Sequence, residues 1–148
     1  MKQYSGLLIT IVVVLLIGAF LFFVTAKPLP YAPVDVGGGS IIVSDQVAGS
    51  LVQLNTTLAA PGFITIHEAM GEAPGKVLGV SDYLETGSYG GINIVLSELM
   101  TPGLTYIALL HADDGDGHFD IQKDMPVSVN GEVVRPDFVA LSADEIDE

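Results

Sequence analysis

From Ser40 onward the chain is a succession of short runs rich in Val, Ile, Thr, Tyr and Phe, each soon broken by Gly, Pro, Asn or Asp. No long stretch carries the 3.6-residue apolar period of an amphipathic helix, so this rhythm points to antiparallel β architecture. The expected fold is all-β: an antiparallel β-sandwich of about seven to eight strands over residues 41–141. Strands are predicted near 40–46, 50–58, 62–69, 76–81, 92–98, 104–112, 125–130 and 132–141. In "GFITIHEA" (62–69), Ile64 and Ile66 alternate with Phe63, Thr65 and His67, which gives one aliphatic face and one that ends in a histidine. "LTYIALLHA" (104–112) is apolar on both faces and predicts a central strand. Asn130-Gly131 between two valine runs predicts a type I′ hairpin, a turn that needs positive φ at both central residues. Asp82 to Glu85 predicts one helical turn, and the acidic tail 142–148 predicts a frayed end.

Ahead of this region, residues 7–26 ("LLITIVVVLLIGAFLFFVTA") carry no charge, and as a helix they would be ~30 Å long, the thickness of a bilayer core. The length favours an uncleaved transmembrane anchor over a secretory signal, whose apolar core is usually ~7–15 residues. "VTA" before Lys27 keeps a cleaved, secreted form open. A pilin-like reading, with "MKQYSG" as leader and the helix in a filament core, is weakened by Ile11, which stands where many pilins carry glutamate. Lys2 precedes the segment and every acidic residue follows it, so a cytoplasmic N-terminus and an extracellular C-terminal domain are expected. Residues 27–40, with Pro28, Pro30, Pro33 and Gly37 to Gly39, read as an extended stalk ending in a flexible joint.

Five Lys and Arg stand against eighteen Asp and Glu, a net charge of −13. Such a surface repels phosphate backbones and anionic headgroups, so nucleic acid is excluded as a partner, while cations, basic proteins and high salt are compatible with it. The absence of cysteine removes disulfides, thiol catalysis and Cys-ligated zinc.

The most chemically suggestive stretch is "LLHADDGDGHFD" (109–120). An EF-hand loop needs oxygen ligands at positions 1, 3, 5, 7, 9 and 12 with glycine at 6. Placing Gly117 at 6 puts Ala112 at 1 and Lys123 at 12, and starting at Asp114 puts Phe119 at 6 and Met125 at 12. Neither register fits. Asp113, Asp114, Asp116, Asp120 and Asp124 still form a candidate calcium site of another kind, since only Lys123 relieves their mutual repulsion. The alternative is a hydrated structural turn, because Asp and Gly populate turns for local reasons. A third reading gathers His67, His111 and His118 at one rim as a zinc or copper site, with Met70, Met100 and Met125 as further soft donors.

Catalysis finds little support: "GVSDYL" and "TGSYGG" do not form a Gly-x-Ser-x-Gly elbow, and "GSYGG" lacks the lysine and helix of a phosphate cradle. Glu68 and Glu72 read as solvated. "NTT" at Asn55 is a glycosylation sequon, usable only if Asn55 faces outward from its strand.

"VSDQ" (43–46), "PGFITIHE" (61–68), "VLGVSDYLETGSY" (77–89) and "YIALLHADDGDGHFD" (106–120), in this order, resemble an uncharacterised domain family of exported, surface-anchored prokaryotic proteins. The resemblance implies an immunoglobulin-like sandwich on the cell surface and carries no assigned activity or site residue. The expectation is therefore a non-enzymatic surface module, anchored through residues 7–26 and stabilised by calcium at 113–124, that meets a protein partner at the cell surface. A metal-binding accessory domain and a filament subunit are the alternatives.

Overall fold

A computed structural model of the chain describes residues 34–35, 38–133 and 135–146. The apolar segment 7–26, and with it the expected transmembrane helix, lies outside the described residues, as does the stalk up to Pro33. Among the described residues no helix is long and apolar enough to cross a membrane.

Among the described residues nine strands and a short 3₁₀ turn follow one another: β1 (Val34–Asp35), β2 (Gly39–Val43), β3 (Gln46–Val47), β4 (Leu51–Leu58), β5 (Gly62–Met70), β6 (Ala73–Val80), β7 (Gly87–Val95), β8 (Thr105–Ala112), β9 (Asp137–Leu141) and the turn Ala143–Ile146. Seven of the strands are five residues or longer. They form a four-stranded sheet, β1-β2-β4-β7, and a five-stranded sheet, β3-β9-β8-β5-β6. Every pairing is antiparallel except β3 with β9. One core joins the sheets, with Ile41, Val52, Leu54 and Ile94 from the first packed with Ile64, Ile66, Leu110 and Phe138 from the second. The molecule is a β-sandwich, and each such aliphatic side chain fully buried contributes roughly 1.5–3 kcal/mol.

β4 shows how sequence becomes geometry. Its residues alternate strictly exposed and buried, so Val52, Leu54, Thr56 and Leu58 face the core while Gln53, Asn55 and Thr57 face outward. β8 is central, as expected, with Tyr106 to His111 all buried between β5 and β9. Tyr106 is the second residue of this strand, and its hydroxyl accepts the Thr101 N–H at 2.8 Å, tying the preceding connection down. Asn130 (φ 52°) and Gly131 (φ 87°) make the expected tight turn, closed by reciprocal hydrogen bonds between Val129 and Glu132.

Other expectations are corrected. The predicted strand 40–46 is divided: β2 stays in the first sheet, and the chain then crosses at Ser44-Asp45 so that β3 pairs with β9 in the second. Gln46 replaces the lost neighbour, because its amide accepts the Gln53 N–H (2.9 Å) and donates to the Gln53 carbonyl (3.2 Å) as a strand backbone would. Asp82 to Glu85 is not helical; Leu84 instead exchanges two backbone hydrogen bonds of 3.0 Å with Gly62. The glycine-rich stretch belongs to β7, which starts at Gly87 and ends at Val95. Residues 125–130 form no strand and meet β8 at one isolated bridge, His111 opposite Pro126, flanked by the Ala112 N–H to Met125 O (3.1 Å) and Val127 N–H to Leu110 O (2.8 Å) bonds, while the last strand begins at Asp137, after Pro136. Pairing also reaches into the expected stalk, where Val34 and Asp35 lie opposite Ile41 and Ser40. Gly39 is a close-approach position rather than a joint: at φ 152° a Cβ would lie 1.8 Å from the Thr57 carbonyl oxygen. Within the tail, Ala143–Ile146 form a 3₁₀ turn, and the Glu145 carboxylate accepts the Ser142 N–H at 2.6 Å.

Candidate functional site

Alternation along β5 predicts one aliphatic face and one that ends in a histidine. All of Gly62 to His67 is buried, so the outward face of the second sheet is covered as well. Phe119 forms part of the cover: its ring meets Phe63 edge-on at 5.5 Å and His111 at 5.4 Å. Phe119 sits in the acidic loop, so residues 113–124 fold back over the sheet rather than projecting from its end. The loop closes at its base where the Ala112 N–H donates to Met125 O (3.1 Å).

Asp124 organises this loop. Its side chain is fully buried, Oδ1 accepts the Asp114 N–H (3.0 Å) and Oδ2 accepts the Asp120 N–H (2.6 Å). Its main-chain carbonyl accepts a 2.7 Å bond from His111 Nδ1, which must therefore carry the proton. Around this brace the other aspartates make local turns: Asp113 accepts Gly117 N–H, Asp114 accepts Asp116 N–H, Asp116 accepts His118 N–H and Asp120 accepts Gln122 N–H.

Three of the five nominated aspartates converge. Asp113, Asp114 and Asp124 each bring one carboxylate oxygen within 4.8 Å of the others. Two oxygens bound to one calcium at ~2.4 Å lie at most ~4.8 Å apart, so the spacing suits a single ion. Asp116 and Asp120 turn instead toward Lys123, at 3.9 and 3.7 Å, in exposed pairs worth little. Among the described residues no Lys or Arg pairs with the converging set. Like charges ~4 Å apart repel by about 1 kcal/mol in water and about 4 kcal/mol at an effective dielectric of ~20. A calcium ion would need further oxygens from carbonyls or water to reach 6 to 8.

The histidines are placed differently from the metal reading. His67 and His111 do meet, ring planes 11° apart and centroids 6.3 Å apart, but both are buried rather than at a rim. Both His67 nitrogens are engaged, Nε2 with the Thr65 hydroxyl (2.9 Å) and Nδ1 with the Gly75 carbonyl (2.9 Å). His111 Nε2 is buried without a hydrogen-bond partner among the described residues. Burial pulls both histidines below the usual pKa, against the opposing effect of their carbonyl bonds; at His111 the neighbouring His67 adds to the lowering. His118 is exposed beside Val77 and Lys123, and no histidine joins the converging aspartates. Met70 and Met125 are exposed while Met100 lies in the core.

Asn55 faces outward from the middle of β4, with its Oδ1 accepting the Gly91 N–H at 2.6 Å. The covering role of Phe119 and the tie from Tyr106 to Thr101 were not read from the sequence. An aromatic inside an otherwise polar loop was the available signal for the first.

A β-sandwich capped by an aspartate-braced loop is the class these features define. The chain matches the family described as a domain of unknown function (DUF7282) over residues 39–139, and it belongs to that family. It is similar to Cell surface glycoprotein 2 of Haloarcula hispanica, 37% identical over 117 residues, which cover 76% of this chain and 12% of that protein. Cell surface glycoprotein 1 of the same organism is 35% identical over 105 residues, 68% of this chain and 11% of that protein. The chain therefore spans only about an eighth of the length of these curated relatives. No solved structure matches it.

Proposed function

We propose that the chain is a non-enzymatic module displayed at the cell surface, held by residues 7–26 with its N-terminus in the cytoplasm, and that a calcium ion orders its 113–124 loop. The surface placement is supported by the relatives' description as cell surface glycoproteins and by the uncharged 7–26 segment followed by an acidic domain. An immunoglobulin-like form of the sandwich is supported by the first strand's division between the sheets, and by the Tyr106 hydroxyl bond to Thr101 at the start of β8, which resembles a tyrosine corner. The role in the envelope is structural or one of contact with a partner.

The observation that carries the calcium reading is the convergence of Asp113 and Asp114 on a carboxylate, that of Asp124, with no exposed surface. The Asp114 and Asp120 N–H groups account for the burial of Asp124, but two further carboxylate oxygens lie within 4.8 Å of it, a repulsion that a cation would relieve. Thermal unfolding of the chain from Tyr31 onward, in chelator and in calcium at constant ionic strength, tests it: calcium raises the melting temperature, and Asp114→Ala abolishes the rise. Equal melting temperatures would leave the loop as a hydrated turn.

A further inference from the structure

The first sheet carries a feature the loop does not explain. In a chain of net charge −13, strands β2, β4 and β7 contain no Asp, Glu, Lys or Arg. Their outward face around the middle of β4 is built from small or neutral groups: Ser40, Ile42, Asn55, Thr57, Ser88 and Gly90 line a shallow concavity of about 280 Å³. At its centre the β4–β7 register slips between Leu54 and Thr56, so Asn55 faces a bulge at Gly90 and Gly91 instead of a side chain. Gly91 adopts φ 64°, and its N–H is taken by Asn55 Oδ1.

We propose that Asn55 is the attachment point of an N-linked glycan that covers this neutral face. Residues two apart on a strand share a face, so Asn55 and Thr57 of Asn-Thr-Thr both point outward, presenting the acceptor amide and the sequon hydroxyl on the same side. The bond from Gly91 fixes the amide plane through Oδ1, while Nδ2, the atom that is glycosylated, makes no hydrogen bond to a described residue in this position. Glycines opposite leave room for the first sugar: a Cβ at Gly90 would have Asn55 Oδ1 as its nearest neighbour, at 3.9 Å. Transfer requires a polyprenyl-phosphate-linked oligosaccharide and a membrane oligosaccharyltransferase. The bond from Nδ2 to the anomeric carbon forms, the bond from that carbon to the phosphate oxygen breaks, the lipid phosphate leaves with the electron pair and the amide gives up one proton. Oδ1 remains an acceptor throughout, so the Gly91 bond survives modification.

The assignment rests on the surface placement proposed above, since the transferase works outside the membrane. The full chain is produced in an archaeal host that glycosylates its surface proteins. The peptide carrying Asn55 is then weighed by mass spectrometry, and protease is added to intact cells in parallel. The expected result is a mass increment of several sugar residues on that peptide, lost in Thr57→Val and retained in Thr57→Ser. Thr57→Val gives up the exposed Thr57–Ser88 hydroxyl bond (3.0 Å) but keeps β-branching, Thr57→Ser keeps a hydroxyl, and neither changes Asn55 or Gly91, so a matched melting temperature for the two variants separates loss of the sequon from loss of folding. An unmodified Asn55 on a chain that external protease cleaves overturns the glycan alone. An unmodified chain shielded from that protease overturns the glycan and the surface placement together.

Discussion

His111 Nδ1 donates to the main-chain carbonyl of Asp124 across 2.7 Å, and the Asp124 carboxylate holds the backbone of Asp114 and Asp120. A central strand thus grips the acidic loop through one buried histidine, and the three converging carboxylates are placed by that grip. The buried His111 and Asp124 side chains belong to the domain's packing as much as to any ion site.

Asp124→Asn keeps the shape but turns one acceptor into a donor facing a backbone N–H. Leaving that donor unsatisfied costs about 1–3 kcal/mol, read as a lower denaturation midpoint with an unchanged slope. Asp116→Asn, at an exposed position, is expected to change stability by less than about 0.5 kcal/mol in the same measurement.

Acid weakens the fold through the two histidines. Burial lowers the pKa of His67 and His111 in the folded state, so the unfolded chain binds more protons below its own histidine pKa of about 6.5. Their contribution is fully present above that pH and is lost as pH falls through the folded-state values. Melting temperature is therefore expected to drop as pH falls below about 6.5. The drop is expected to be smaller in His67→Gln. A flat profile below that pH contradicts the burial of neutral imidazoles.

Phe119→Ala removes two edge-on ring contacts, each worth about 0.5–1.5 kcal/mol beyond burial. Amide hydrogen exchange is expected to quicken in residues 113–124 and to reach the Phe63 and His111 region of β5 and β8. The β2–β4–β7 sheet keeps its protection. Uniform acceleration everywhere contradicts a local covering role.

Tyr106→Phe leaves the ring against Phe138 but strands the Thr101 N–H. A loss of about 1–2 kcal/mol is expected by chemical denaturation. No loss would mean that the connection before β8 is held by other bonds.

Local pattern was enough for β4, for the central position of β8 and for the Asn130-Gly131 turn, because each depends on side-chain alternation or on φ at one or two residues. What escaped the sequence is decided by distant partners. "SIIVSDQ" reads as one strand, and its division depends on β9, nearly a hundred residues later, where Val139 N–H donates to Asp45 Oδ1 at 2.7 Å. His67 reads as a rim residue because nothing near it in sequence announces that Phe119 and its loop cover that face. The acidic cluster was legible as composition, but which three of its five aspartates converge depends on where Asp124 is buried.

The most direct measurement is the melting temperature of the chain from Tyr31 onward, with chelator, with magnesium and with calcium at matched ionic strength. An ion present at about 100 times its Kd adds roughly 2.7 kcal/mol, a rise of roughly 10 °C for a domain of this size. Calcium held by Asp113, Asp114 and Asp124 predicts that rise for calcium, and its loss in Asp114→Ala. The same melting temperature in all three solutions would contradict it.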